Sequence, residues 1–179
     1  MTDRVDTLGI TPDDKDWTWV LARPCPECGL DVRTVDRDAV ADRLGDTAAR
    51  WLPVLRRAQV SHRPDPATWS PLEYGCHVRD TFLRFDQRLQ LMLTEHDPLF
   101  ENWDQDRTAV EGRYGEQDPT TVATELLAAG EQVARRFERV RGAQWERPGR
   151  RGGGSRFTVE SLGRYLLHDP IHHLHDVAR

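Results

Sequence analysis

The sequence predicts an all-α chain, a four-helix bundle preceded by an irregular N-terminal arm. Four stretches of roughly twenty residues repeat apolar side chains at spacings of three and four, the period of a helix with one buried face. Each opens on a capping residue, and no run between them alternates apolar and polar positions as a half-buried strand would. Four such segments fit a bundle, and two longer connections allow a crossover topology.

The first helix is expected from Asp36 to about Arg57, with Val40, Leu44, Ala48, Trp51, Leu52 and Leu55 on its stripe. Asp36 serves as its cap. Pro53 bends it, because proline removes a donor and clashes one turn back. SHRPDPATW then forms a loop. Ser70-Pro71-Leu72-Glu73 places a hydroxyl at the cap, proline at the first position and glutamate at the third, so a second helix starts there. Its stripe is Tyr74, Val78, Phe82, Phe85, Leu89 and Met92, and it ends near His96. A long polar link carrying Trp103 and Tyr114 leads to Asp118-Pro119, which opens a third helix burying Val122, Leu126, Leu127, Val133, Phe137 and Val140. Arg147 to Arg156, with three consecutive glycines, is expected to be a flexible loop. Thr158 opens the fourth helix, packed through Leu162, Leu166, Leu167, Ile171 and Leu174. Residues 1–33 are the arm and 34–179 the bundle.

Composition limits the function classes. With 179 residues, 37% hydrophobic and 31% charged, the chain is the size of one domain, too apolar for disorder and without a membrane-length apolar run. Three cysteines close no disulfide framework, and Met1 to Ile10 lack the pattern of a secretory leader, so a cytoplasmic protein is expected. Lys15 is the only lysine, and the arginines alternate with acids instead of forming a basic block, which speaks against nucleic acid as partner.

Chemistry concentrates in the last helix. Four of the seven histidines, His168, His172, His173 and His175, fall within one short stretch. Residues four apart on a helix are neighbours, so His168 and His172 can share one metal ion. A third ligand has to come from a facing helix, and His77, beside Tyr74 and Val78, is the best placed. His173 or His175 is open as a replacement for His172 or His168, His175 lying near the same edge as His168 and His173 on another edge, where it otherwise reads as an outer-sphere or exposed residue. Asp169 and Asp176 are read either as acceptors that orient imidazoles or as solvated charges. Pro170 predicts a local bend between the ligands, serving either their orientation or ordinary packing.

Cys25-Pro-Glu-Cys28-Gly29 has the form of half a zinc ribbon, but no second cysteine pair completes it. The plain reading is a proline-bounded turn packed on the bundle, with a metal or redox role as the alternative. On that reading Cys25→Ser leaves metal content unchanged. Cys76, within the second helix, reads as a small core residue. No GxGxxG after a strand, GxxxxGK[ST], HExxH or GxSxG occurs, so nucleotide-dependent transfer and serine hydrolysis have no support.

Trp69-Ser70-Pro71-Leu72-Glu73-Tyr74-Gly75-Cys76-His77-Val78-Arg79-Asp80, taken with His168-Asp-Pro-Ile-His172-His173, resembles the DinB-like superfamily, which includes metal-dependent thiol S-transferases and mycothiol-dependent maleylpyruvate isomerases. The resemblance spans about residues 34 to 178, and WTWVLARPCPECG looks like the lead-in of DinB-like proteins from high-GC bacteria. It implies a four-helix bundle with a histidine triad, carried onto His77, His168 and His172. The proline between the last two histidines and the CxxCG arm depart from the general family pattern.

Three neutral imidazoles leave a divalent ion its full charge and an open position, which lowers the pKa of a bound water or thiol. Zinc or nickel is the first expectation, although imidazole also suits copper and iron. The first functional reading is a transferase or isomerase joining a low-molecular-weight thiol, mycothiol by resemblance, to a small-molecule electrophile, with Arg79, Arg84 and Arg88 available to an anionic substrate. A metal-binding helical module without turnover is the second, and metal-assisted hydrolysis the third. A homodimer is compatible with any of them.

Overall fold

The helix starts are fixed by local hydrogen bonds. In the computed structural model, which describes residues 9–10 and 15–178, α1 (Val40–Leu55) follows a 3-10 turn whose cap, Asp36, accepts from the Asp38 amide. The portions of the arm and of the leader reading that fall on residues 1–8 and 11–14 lie outside the described residues. In α2 (Pro71–Thr94) the Ser70 hydroxyl accepts from the Glu73 amide at 3.3 Å, and the Glu73 carboxylate accepts from the Ser70 amide at 2.8 Å. A short α3 (Gln105–Glu111) follows, then α4 (Pro119–Glu138), capped by Asp118, and α5 (Val159–Asp176), capped by Thr158. Helix α5 runs unbroken through Pro170.

The four long helices close a ring in the order α1, α4, α2, α5, so α1 and α2, consecutive in the chain, face each other across the diagonal. Trp51, Phe82, Leu89, Leu126, Phe137 and Leu166 fill the interior and are shielded from water. Gly130 sets the α1–α4 approach, since a Cβ there would stand 2.4 Å from the Ala48 Cβ. None of the described helices is long and apolar enough to cross a membrane.

Two segments differ from the sequence expectation. The link between α2 and α4 holds α3 and a short strand, β1 (Leu99–Phe100). The stretch expected as a flexible loop is a hairpin, with β2 (Pro148–Arg151) parallel to β1 and antiparallel to β3 (Arg156–Thr158), in register Leu99 with Arg150 and Gly149 with Phe157. Pro-Gly-Arg-Arg has no apolar alternation to reveal a strand. It is held because Gly149 lets the backbone lie against Phe100 and Met92, where a Cβ would be 2.6 Å from the Phe100 ring. The run of glycines forms the hairpin turn, with Gly153 and Gly154 at positive φ.

The arm is packed rather than loose. Trp17–Leu21 and Val32–Thr34 form 3-10 turns against α5, and Val20, Cys25, Val32 and Val35 are buried.

Glu73 couples the start of α2 to pH. Burial would raise its carboxyl pKa, but hydrogen bonds from Arg63 and Ser70 outweigh that and hold it below the ordinary value of 4.5. The folded pKa lies below the unfolded one, so the group contributes stability above the unfolded pKa, and the contribution is lost as pH falls through the folded pKa. Glu73→Gln is expected to lower stability at neutral pH and to flatten the acid limb, as read by urea unfolding between pH 3 and pH 7.

Candidate metal centres

Successive residues of α5 turn ligating groups toward different neighbours, because each step rotates by about 100°. Asp169 and His173 face α2, where they meet His77. His168 and His172 face the arm, where they meet Cys25 and Cys28. Among the described residues these are two sets that share no residue, in each of which one ligating atom per residue lies within 4.8 Å of the others; a third grouping, Glu27, His172 and Asp176, overlaps the second set at His172. The grouping His77, His168 and His172 is therefore divided. His77 takes Asp169 and His173 as its companions, and the pair His168 and His172, with ring centroids 4.9 Å apart, turns to the cysteines.

In the first set, His77 Nε2 stands 3.2 Å from Asp169 Oδ2 and 3.4 Å from the Thr81 hydroxyl. Its ring is stacked parallel on Trp103 at 5.4 Å and touches Trp69, so its plane is fixed by packing. His173 Nε2 lies 3.9 Å from Asp169 Oδ2, while His173 Nδ1 is 3.0 Å from Asp176 Oδ2. A carboxylate on the far nitrogen is the arrangement that fixes a ligating imidazole in one tautomer. Burial opposes ionisation of Asp169, but the imidazoles of His77 and His173 outweigh it and hold the carboxyl well below the usual range. Two donor atoms here, His77 Nδ1 and Asp169 Oδ1, are buried without a hydrogen-bond partner. The donor set, two imidazoles and one carboxylate, suits a divalent cation and leaves it a net positive charge.

Through Asp169 and His173 this set borders a cavity of about 590 Å³, lined among others by Thr81, Arg88, Trp103, Arg151 and Tyr165, and also by His168 and His172 of the second set. Of the three arginines noted on α2, only Arg88 serves it. Arg79 is engaged by Asp80 and Glu125, at 2.8 and 2.7 Å, and Arg84 lies over Trp103. Arg88 is 6% exposed, has no carboxylate partner among the described residues, and leaves its Nε without a hydrogen bond. Burial, aided by Arg151 and Arg84, pushes its pKa down to about 10, which still leaves it charged at neutral pH.

In the second set, Cys25 Sγ is 3.7 Å from His172 Nδ1. Trp17 covers both rings, with centroids 5.4 Å from His168 and 5.0 Å from His172. Burial pushes His168 down to about 4, with His172 adding to the effect, so it is a neutral imidazole. Burial, with Cys25 beside it, pushes the Cys28 thiol up to about 11. Cys76 is fully buried in α2, apart from both sets.

From the sequence, Asp169 reads only as an orienting acceptor or a solvated charge and His173 only as a candidate replacement ligand, although the two share the i, i+4 spacing of His168 and His172. The signal was present, but a carboxylate at one end masked it.

A model of the DinB superfamily matches residues 52–177. Among solved structures the chain is similar to YfiT from Bacillus subtilis, described as a probable metal-dependent hydrolase with an unusual four-helix bundle topology. The two share 19% identity and a TM-score of 0.71, over 80% of this chain and 86% of that one, a likeness of fold. No curated protein matches the sequence.

Proposed function

We propose, for a chain that belongs to the DinB superfamily, a metal-dependent enzyme that joins a low-molecular-weight thiol to an anionic small-molecule electrophile. The ion is assigned to His77, Asp169 and His173. The observation that carries the reading is that this two-imidazole, one-carboxylate set borders a cavity containing a buried arginine without a carboxylate partner. Mycothiol is the thiol named by the family resemblance.

A divalent cation bound there supplies Lewis acidity, which favours the thiolate over the thiol at neutral pH. The remaining work falls to the chain. Trp103 and Thr81 hold the His77 ring, and Asp176 holds His173 with its Nε2 toward Asp169. Arg88, desolvated against Phe85 and Phe100, offers a planar donor fork to a carboxylate. Removing Arg88 should therefore act on binding. Arg88→Ala is expected to raise KM for carboxylate-bearing electrophiles roughly 10- to 150-fold, the worth of a hydrogen bond to a charged group, with kcat little changed. The assay is thiol conjugation over a panel of charged and neutral electrophiles, alongside metal analysis of His77→Ala. Equal turnover of charged and neutral electrophiles, or an unchanged KM in Arg88→Ala, refutes the anionic substrate. Full metal content in His77→Ala refutes the ligand assignment.

Hydrolysis is the second reading. It is favoured by the cavity that Asp169 and His173 line, which leaves room for a water nucleophile beside the set, and it matches the description of YfiT. Turnover of esters or amides without any thiol selects it over conjugation.

A further inference from the structure

We infer that Cys25, Cys28, His168 and His172 form a second, closed metal site, structural in role, in which a zinc ion fastens the N-terminal arm to α5. The site is independent of the one assigned above. It shares no ligand with it, and the family match begins at residue 52, beyond both cysteines.

The ligand count comes first. Two thiols and two imidazoles, from stretches of chain more than a hundred residues apart, converge with one ligating atom each within 4.8 Å of the others. Two cysteines with two histidines is a complete set for tetrahedral zinc, with no position left for substrate. The spacing fits as well. Zinc–sulfur at about 2.3 Å and zinc–nitrogen at about 2.0 Å give a tetrahedron edge of roughly 3.5 Å, against 3.7 Å between Cys25 Sγ and His172 Nδ1.

The local backbone is built for it. The Gly29 amide donates to the Cys25 carbonyl at 2.9 Å, and the Cys25 amide donates to the Leu30 carbonyl at 2.9 Å. This tight turn carries both thiols on one side, and Gly29 takes the positive φ of 75° that it needs. Two further observations point to a ligand. His168 is 3% exposed and its Nε2 has no hydrogen-bond partner, a cost for a buried polar atom that a bound cation would remove. The far nitrogen of His172 has Asp176 at 3.6 Å and Glu27 at 3.9 Å, the outer carboxylates that orient a ligating imidazole.

Charge separates the two sites. Zinc binding releases one proton from each thiol, and two thiolates neutralise the divalent ion, so the group carries no net charge and is compatible with burial under Trp17. The His77 set keeps a net positive charge beside the cavity. Asp176, close to His172 and His173, braces both.

The test uses the full-length protein expressed without an affinity tag and loaded with cobalt(II). Thiolate ligation gives sulfur-to-cobalt charge-transfer absorption in the near ultraviolet, which the cysteine-free His77 set cannot produce, together with the visible bands of a four-coordinate ion. Wild type and His77→Ala are expected to show both features, and Cys28→Ser to lose them. Zinc is expected to protect both thiols from alkylation and the Arg33–Thr34 bond from trypsin, with chelation exposing them. Absence of the thiolate band in folded wild type overturns the proposal. So does a mass deficit of two hydrogens in freshly purified protein, which identifies a disulfide pair instead. Because the spectrum is read on wild type, failure of a variant to fold does not decide the outcome.

Discussion

Trp51→Ala is expected to lower stability by about 3–5 kcal/mol, the cost of emptying an aromatic site in a close-packed core. In a domain of this size that corresponds to a fall in Tm of roughly 6–20 °C. Trp51 is fully shielded in α1, and its indole nitrogen donates to the Pro170 carbonyl at 3.2 Å. That carbonyl lies between Asp169 and His168 on one side and His172 and His173 on the other. Losing the indole removes the packing that presses α5 into the bundle and the bond that fixes its ligand-bearing turn. Trp51→Phe separates the two effects. It keeps most of the bulk and removes the indole hydrogen bond to the Pro170 carbonyl, an expected loss of about 0.5–1.5 kcal/mol. Urea midpoints of both variants check the ranking, and an alanine variant as stable as the phenylalanine variant contradicts it.

What the sequence revealed follows the range of the forces involved. The start of α2 was legible because Ser70 and Glu73 satisfy each other's backbone amides within one turn, whatever the rest of the chain does. The caps at Asp118 and Thr158 are legible for the same reason. The hairpin was not, because β2 is held by a glycine lying against Phe100 and Met92, a fit between distant segments. The histidines show the boundary within one helix. Spacing identified His168 and His172 as neighbours, but it cannot choose which of two i, i+4 pairs, offset by a single residue, faces α2. That choice depends on the rotation of α5, set by the contacts of Trp51, Leu166 and Leu167 in the core. The cysteines called for the opposite step. A CxxCG turn and an HxxxH pair each supply half of a tetrahedral site, and only the fold of the arm over α5 joins the halves.

Metal stoichiometry in single and double variants is expected to separate the two sets outright. If His77, His168 and His172 held one ion, His77→Ala and His172→Ala would each abolish the same binding, and the double variant would add nothing. The division found here requires the losses to be independent. His77→Ala is expected to lose one equivalent and all turnover while keeping the arm protected from trypsin. His172→Ala is expected to lose the other equivalent and the protection of the arm, keeping a metal ion beside the cavity. The double variant then binds no metal. Independence is a strong condition here, because His172 and His173 are adjacent and Asp176 lies within 3.6 Å of both imidazoles. Asp176→Asn provides the measure of that coupling. Removal of an orienting carboxylate typically costs about 10- to 100-fold in affinity. Here both sites should weaken together, because a single side chain supports a ligand of each, whereas substitution of Glu27, which reaches only His172, should weaken the arm site alone.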